Sequence, residues 1–240
     1  ADGSVLTLGP TDWPDWQSLE ARDDQAGQIH AGLRRIIEAN RDEIAQRFPK
    51  VMRRVSGYNL DAFLEDPRET PWNPASLIVG SEGTLGLLLE AKVRLTPLPH
   101  ATALCVSHFE TVRAAMDAVA PILEHGPAAV ELLDEQIVTE ARRNRSTADA
   151  AADCFEGSPR AVLITEFFAD AEDEAAASAT RLAERLRGEG HGYAHGIKTD
   201  AAAQQRVWFV RKMGNGLASN VKGPRKRQPF LEDACVPIEH

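Results

Sequence analysis

Gly80-Ser81-Glu82-Gly83-Thr84-Leu85-Gly86 places three glycines in seven residues, between the apolar Ser76-Leu77-Ile78-Val79 and a strand-like run from Leu87 to Leu95. Glycine reaches positive φ and has no Cβ to hold a ligand away from the backbone N–H groups, so such a corner can bind anionic or carbonyl oxygens. The same seven residues also describe a plain tight turn joining two buried elements, because a glycine pattern by itself is weak evidence. A second group capable of chemistry is Val207-Trp208-Phe209-Val210-Arg211-Lys212. The Arg211 guanidinium is a planar fork of donors that suits a carboxylate and stays charged at any working pH. On an amphipathic helix whose apolar side is Val207, Trp208 and Val210, it also reads as an ordinary salt-bridge residue. His191 and His195 lie four apart, but Gly190, Gly192 and Gly196 oppose a helix there, so the spacing does not make a ligand pair and no metal is expected. His100 and His108 read as strand-end residues, His125 sits beside Gly126 at a helix end that favours a cation, and His240 is the last residue.

The elements that must position these groups follow from periodicity. Gly3 to Gly9 reads as a short strand, and Trp13 to Asp24 as a polar loop interrupted by proline. Ile29, Leu33, Ile36, Ile37 and Ile44 recur at helical spacing, which predicts an amphipathic helix from Gln25 to Arg47 ended by Pro49. Glu65 to Pro74, with its prolines and charges, reads as an exposed insertion. After Pro99 the pattern becomes two strand–helix units: strands at Ala101–His108 and Arg160–Phe168, and helices at Phe109–Glu124 and Ala171–Arg187. A further strand at Ala128–Leu133 runs into a helix, and Arg143 to Pro159 reads as a mobile loop. The first helix would carry Val112, Ala115, Met116, Val119 and Ile122 on one face, and the second would turn Leu182 and Leu186 inward. The fold class is therefore α+β, with an antiparallel sheet covered by helices on one face in a ferredoxin-like plan. The domain division falls at residue 100, giving 1–99 and 100–240.

Composition narrows the function classes. At 240 residues the chain can bury a sizeable core in one or two domains. A net charge of −9 argues against a nucleic-acid partner, and the short basic run Lys222 to Arg227 reads as a solvated loop. Cys105, Cys154 and Cys235 are odd in number and far apart, which predicts neither a disulfide framework nor a metal pair and favours a reducing cytoplasm. No secretory leader follows Ala1, and no apolar run approaches the roughly 20 residues of a membrane span.

Taken with its flanks, the glycine corner has company. Arg53 to Leu60 reads Arg-Arg-Val-Ser-Gly-Tyr-Asn-Leu, and the run after the corner ends Thr96-Pro97-Leu98-Pro99. This order resembles the FAD-linked oxidases of the vanillyl-alcohol oxidase type, and within them the D-2-hydroxyacid dehydrogenases, which include D-lactate, glycolate and D-2-hydroxyglutarate dehydrogenases. The resemblance runs from about Ala1 to His240. It implies that Gly57, Tyr58, Asn59, Gly80, Ser81, Glu82, Gly83, Thr84, Leu85 and Gly86 line FAD. It also implies that residues 1–99 are the C-terminal half of a two-subdomain FAD-binding domain, followed by a substrate domain over the flavin that is incomplete at its C-terminus. Arg211 matches the arginine of the family's "lW-x-x-R-(E/K)" segment, which grips the substrate carboxylate beside flavin N5. The implied partners are a small 2-hydroxy acid and a separate electron acceptor. An uncovered flavin-side face would favour self-association.

Departures from the pattern qualify these implications. Lys212 stands where many members have glutamate, and the lysine that lactate-type members carry before an "xDxSxP" strand is not matched. Pro229-Phe230-Leu231-Glu232-Asp233-Ala234-Cys235-Val236-Pro237 instead resembles long bacterial members fused to an iron–sulfur half. Arg225, Lys226 and Arg227 offer a replacement charge but read more simply as loop. The phosphate-binding loop, the "GHxGDGN"-like metal segment and the iron–sulfur cysteines are not found here. Those features, with any iron–sulfur cluster or divalent metal, would belong to other parts of a longer parent enzyme, as would its base histidines. Two alternatives stay open beside a D-2-hydroxy acid dehydrogenase: a non-catalytic flavoprotein subunit, and a flavin oxidase acting on an unrelated alcohol.

Overall fold

The computed structural model describes residues 3–51, 54, 57–219 and 235–237. Two compact units result, one of Ala1–Arg94 with Phe230–His240 and the other of Leu95–Pro229.

The first unit is built on two capped helices. α1 (Trp13–Glu20) starts where Asp12 accepts a hydrogen bond from the Asp15 N–H, with Pro14 in its first turn. A proline there loses no helical hydrogen bond, so the segment expected as a loop is a helix. α2 (Gln25–Arg47) is capped in the same way by Asp24 on the Gly27 N–H. Its buried stripe is Ala26, His30, Leu33, Ile37 and Ile44, whereas Ile29 and Ile36 are exposed. The core centres on Trp72, which meets Trp16 and Phe63 edge-to-face at centroid distances of 5.1 and 5.5 Å. The Trp72 indole N–H donates to the Glu65 carbonyl, so the supposed exposed insertion is pinned to the core by its own tryptophan. A 3-10 turn at Leu60–Phe63 and a four-residue helix, α3 (Ala75–Ile78), lead to the glycine corner.

Two strand expectations fail in this unit. Gly3 to Gly9 forms no ladder; the nearest pairing is a single bridge between Thr11 and Trp72. Leu87 to Leu95 takes no regular secondary structure and pairs with no strand among the described residues, and Leu87 (91%) and Leu95 (84%) are almost wholly exposed. Apolar alternation makes a strand only where a neighbour supplies hydrogen bonds and a face to bury.

The second unit is a four-stranded antiparallel sheet of β1 (Ala101–Phe109), β2 (Ala129–Asp134), β3 (Ala161–Ala169) and β4 (Ala194–Lys198), in the order β2-β3-β1-β4. That is the ferredoxin-like order, with crossover helices between β1 and β2 and between β3 and β4. The first crossover breaks into α4 (Val112–Asp117) and α5 (Val119–Leu123). Pro121 lacks the N–H that would bond to the Asp117 carbonyl, so a continuous helix from Phe109 to Glu124 cannot form. Ala115 and Ile122 are buried as expected, while Val112 and Met116 are exposed. The second crossover, α8 (Glu172–Gly188), buries Ala175, Ala179, Leu182, Ala183 and Leu186 against the face of Ala103, Cys105 and Leu163.

The expectation of helices on one face needs correction. α6 (Glu135–Arg143), α7 (Ala148–Cys154) and α9 (Ala201–Ser219) cover the opposite face, closing a second core around Leu104, Val106, Val162 and Ile164. The stretch expected as a mobile loop thus contains α7, whose Ala151 and Cys154 are buried. Cys105 and Cys154 lie inside the two cores, and burial pushes both thiols up to about 11, far from nucleophilic use.

Each face of β1 also carries a polar group. His108 is fully buried, its Nδ1 3.2 Å from the Ala194 carbonyl while Nε2 accepts the Glu156 N–H. His195, on β4, bonds Ser107 Oγ through Nδ1 at 2.9 Å. Burial lowers both imidazoles below the ordinary 6.5. The unfolded chain then binds protons more readily than the fold, so stability is full above about 6.5 and is lost as pH falls from there through the lowered folded values. Thermal denaturation from pH 8 to 5 is expected to show a falling Tm below 6.5, and a flat profile would contradict this burial. Gly192, at φ +73, would carry a Cβ 2.8 Å from the His108 carbonyl oxygen. Gly192→Ala is expected to destabilise the unit by about 2 kcal/mol, from overpacking and left-handed strain, measured as a lower urea midpoint.

Candidate functional site

Around the glycine corner, hydrogen bonds tie Tyr58 and Asn59, two of the residues that the resemblance assigned to FAD, to the segment from Ser76 to Thr84. The Asn59 amide donates to the carbonyls of Ser76 and Val79, each at 3.1 Å, and its oxygen accepts from Arg54 Nη2. Arg54 is held in turn by Asp61 at 2.7 Å and lies 5.2 Å from the centre of the Phe48 ring. Asn59 therefore fastens the chain just ahead of the corner to the 3-10 turn.

Tyr58 then reaches across to hydrogen-bond Thr84 Oγ1 at 2.8 Å, and Thr84 Oγ1 donates to the Ser81 carbonyl at 2.6 Å. Gly57 and Gly80 are neighbours in space, since a Cβ on Gly80 would lie 3.8 Å from the Gly57 oxygen, an ordinary van der Waals contact. Sequence spacing alone could not show this contact, because 17 residues and the Trp72 anchor separate Asn59 from Ser76.

The backbone turns through the left-handed region at Gly80 (φ +79), Glu82 (φ +52) and Gly83 (φ +74). Glu82 is the only non-glycine with positive φ among the described residues, and such a conformation is uncommon enough to be informative. Ser81 is buried, and its carbonyl closes the turn with the Thr84 N–H at 3.0 Å. Glu82, Gly83, Leu85 and Gly86 are exposed, and their N–H groups donate to no acceptor among the described residues. Together these features leave a left-handed, glycine-rich corner with exposed backbone N–H groups that the described residues do not engage, which fits a cofactor rich in oxygen.

Arg211 lies in the other unit, on α9. Val207 and Val210 are buried in the second core and fix the rotation of the helix on the sheet. Arg211 is thereby directed at edge strand β2, where both Nε (3.1 Å) and Nη2 (2.9 Å) donate to one oxygen of Glu131. Neighbouring Lys212 is exposed. On β3, beneath the same helix, burial raises the Glu166 carboxyl, and a hydrogen bond from the Trp208 side chain partly offsets that. Glu131 and Glu166 escaped sequence reasoning. The available signal was a carboxylate at an inward position of each strand, Glu131 beside Leu133 in register and Glu166 beside Ile164.

Other parts of the second unit offer less. A cleft of about 560 Å³ opens where α4 and α6 begin, lined in part by Thr111, Asp134, Glu135 and Arg160. Thr111 and Asp134 already cap the two helices, and Arg160 faces Glu135 at 3.9 Å, so the polar groups satisfy one another. Among the described residues no helix is long and apolar enough to cross a membrane. The run Lys222 to Arg227, the segment Pro229 to Ala234 and His240 lie outside the described residues.

Residues 98–240 match the model of the C-terminal domain of FAD linked oxidases. The chain is 29% identical to a D-2-hydroxyglutarate dehydrogenase of Pseudomonas putida and 27% identical to one of Escherichia coli, in each case over 99% of this chain and 24% of the relative. A probable mitochondrial D-lactate dehydrogenase of Danio rerio is 28% identical over 72% of this chain and 33% of its own length. The chain thus spans about a quarter of the length of the first of these relatives. Through the match over its sheet unit, this chain belongs to the FAD-linked oxidases.

Proposed function

We propose that this chain is part of a flavin-dependent dehydrogenase that oxidises a D-2-hydroxy acid to the 2-oxo acid, with D-2-hydroxyglutarate and D-lactate as the leading substrates. The observation that carries the reading is the left-handed corner at Gly80–Gly86, with its unengaged N–H groups, in a chain similar over 99% of its length to D-2-hydroxyglutarate dehydrogenases. Gly57, Tyr58 and Asn59 with Gly80 to Gly86 would hold the FAD, with backbone N–H groups of the corner as donors to its oxygens. FAD, when bound, supplies the hydride acceptor. Arg211 binds the substrate carboxylate and fixes the orientation of the neighbouring hydroxyl-bearing carbon. In the overall change, the C2–H bond gives up its hydrogen with the electron pair, the hydroxyl proton leaves, and the C2–O bond becomes a carbonyl.

A separate electron acceptor completes turnover. The free, buried Cys105 and Cys154 support a cytoplasmic setting. Exposure of Leu87, Leu88, Leu89, Val93, Leu95 and Leu98 supports self-association.

Two measurements on the full-length protein test the reading. Arg211→Ala is expected to lower kcat/KM for the hydroxy acid by roughly 100-fold, the scale of a lost charge-assisted anchor, while the oxidised flavin spectrum is retained. Unchanged kcat/KM would remove Arg211 from the substrate site. Gly83→Ala meets open space but forces φ +74 on a residue with a Cβ. It should cost about 1 kcal/mol and reduce bound flavin, read from the flavin-to-protein absorbance ratio. An unaltered ratio would separate the corner from the cofactor.

A further inference from the structure

The contact between Arg211 and Glu131 uses the guanidinium in a particular way. Nε and Nη2 lie on the side-on edge of the fork, and both donate to the single oxygen Oε2 of Glu131. The end-on edge, formed by Nη1 with the second hydrogen of Nη2, has no acceptor among the described residues. A guanidinium carries five N–H donors, and a carboxylate binds it best through two parallel bonds along one edge. One edge is thus committed to the protein, and the other matches a second carboxylate.

Both partners are held from behind. Glu131 sits on β2, paired in register with Ile164 of β3, and α6 follows β2 directly under the Asp134 cap. Ile137 of α6 lies beside Gly214 of α9, so near that a Cβ on Gly214 would be 3.4 Å from Ile137 Cδ1. α9 is therefore seated on the helix that continues the Glu131 strand, and Val207 and Val210 set its rotation. A long arginine side chain loses much rotamer freedom when it binds a ligand, and a partner that orders it beforehand removes that cost.

We propose that Glu131 is a positioning residue for substrate recognition: it clamps the side-on edge of Arg211 and so presents the end-on edge to the carboxylate of the 2-hydroxy acid. This rests on the reading of Arg211 given above. The opposite role, with Glu131 as a competitor that the substrate must displace, would need the carboxylate to take the occupied edge although a free one is available.

The test uses the full-length protein and the D-2-hydroxy acid that bleaches its flavin, drawn from D-2-hydroxyglutarate and D-lactate. Glu131→Gln, Glu131→Asp, Arg211→Ala and the Glu131→Gln/Arg211→Ala double variant are compared by steady-state kinetics. Binding of oxalate is followed in parallel by perturbation of the flavin absorbance. Glu131→Gln is expected to raise both KM and the oxalate Kd about tenfold, the equivalent of one charge-assisted hydrogen bond, with an unchanged flavin spectrum. Glu131→Asp should recover part of the loss. The double variant should be no worse than Arg211→Ala alone, because Glu131 acts only through Arg211.

If Arg211→Ala raises KM but Glu131→Gln leaves KM and Kd unchanged or lowers them, the positioning role is overturned while the anchor stands. An additive double variant would likewise reduce Glu131 to a structural part. If Arg211→Ala has no effect on kcat/KM, or neither acid bleaches the flavin, the underlying reading fails and this inference goes with it.

Discussion

The burial of β1 on both faces is the constraint from which the rest of the second unit follows. Ala103, Leu104, Cys105, Val106 and Phe109 are all at 0% exposure, so the strand must be flanked by a partner on each side and a layer on each face. β3 and β4 supply the partners, and two separate cores supply the layers. A strand enclosed in this way cannot slip by one residue without moving His108 and Ser107 into each other's surroundings. The position of His195 against Ser107, and of Glu131 at the sheet edge, is therefore inherited from the register of a strand that has no direct part in the chemistry.

How much of this could be read beforehand depended on whether the signal was local. The strands at Ala101 and Ala161 and the helix of Leu182 and Leu186 carry their own periodicity, and the two strand–helix units point to the antiparallel plan. The break at Pro121 was equally local but was outweighed by the apolar spacing around it. What lay beyond reach was the second covering layer. The alanine-rich Ala148–Cys154 looks polar and unstructured until Ala151 and Cys154 meet a sheet face that the sequence does not display. Trp13–Glu20 failed for a different reason. Proline breaks a helix only in its interior, whereas Pro14 sits in the first turn after the Asp12 cap, where its missing N–H costs nothing.

The candidate site divides along the same line. The glycines of the corner could be named from sequence because a left-handed turn leaves few other choices. Their hydrogen-bonded support could not, since Asn59, Tyr58 and Arg54 act over separations that only the folded first unit closes. Glu82 is the exception within the corner. It holds a conformation that glycine would adopt more cheaply, and the energy for this comes from the neighbouring Ser81–Thr84 turn and the Tyr58 clamp. Arg211 was found by its neighbours in sequence, but its orientation belongs to Glu131, 80 residues earlier.

That separation also has a kinetic meaning. α9 can seat itself only after β1, β2 and β3 have assembled the face on which it lies, because Val207 and Val210 pack into the core built on that face. Contacts so distant along the chain form late, after the entropy of closing the intervening loops has been met. A nascent or partly refolded chain will therefore possess its sheet before it possesses an ordered guanidinium. Conditions that loosen only α9 would disorder the proposed carboxylate anchor while leaving the spectroscopic signature of the sheet intact.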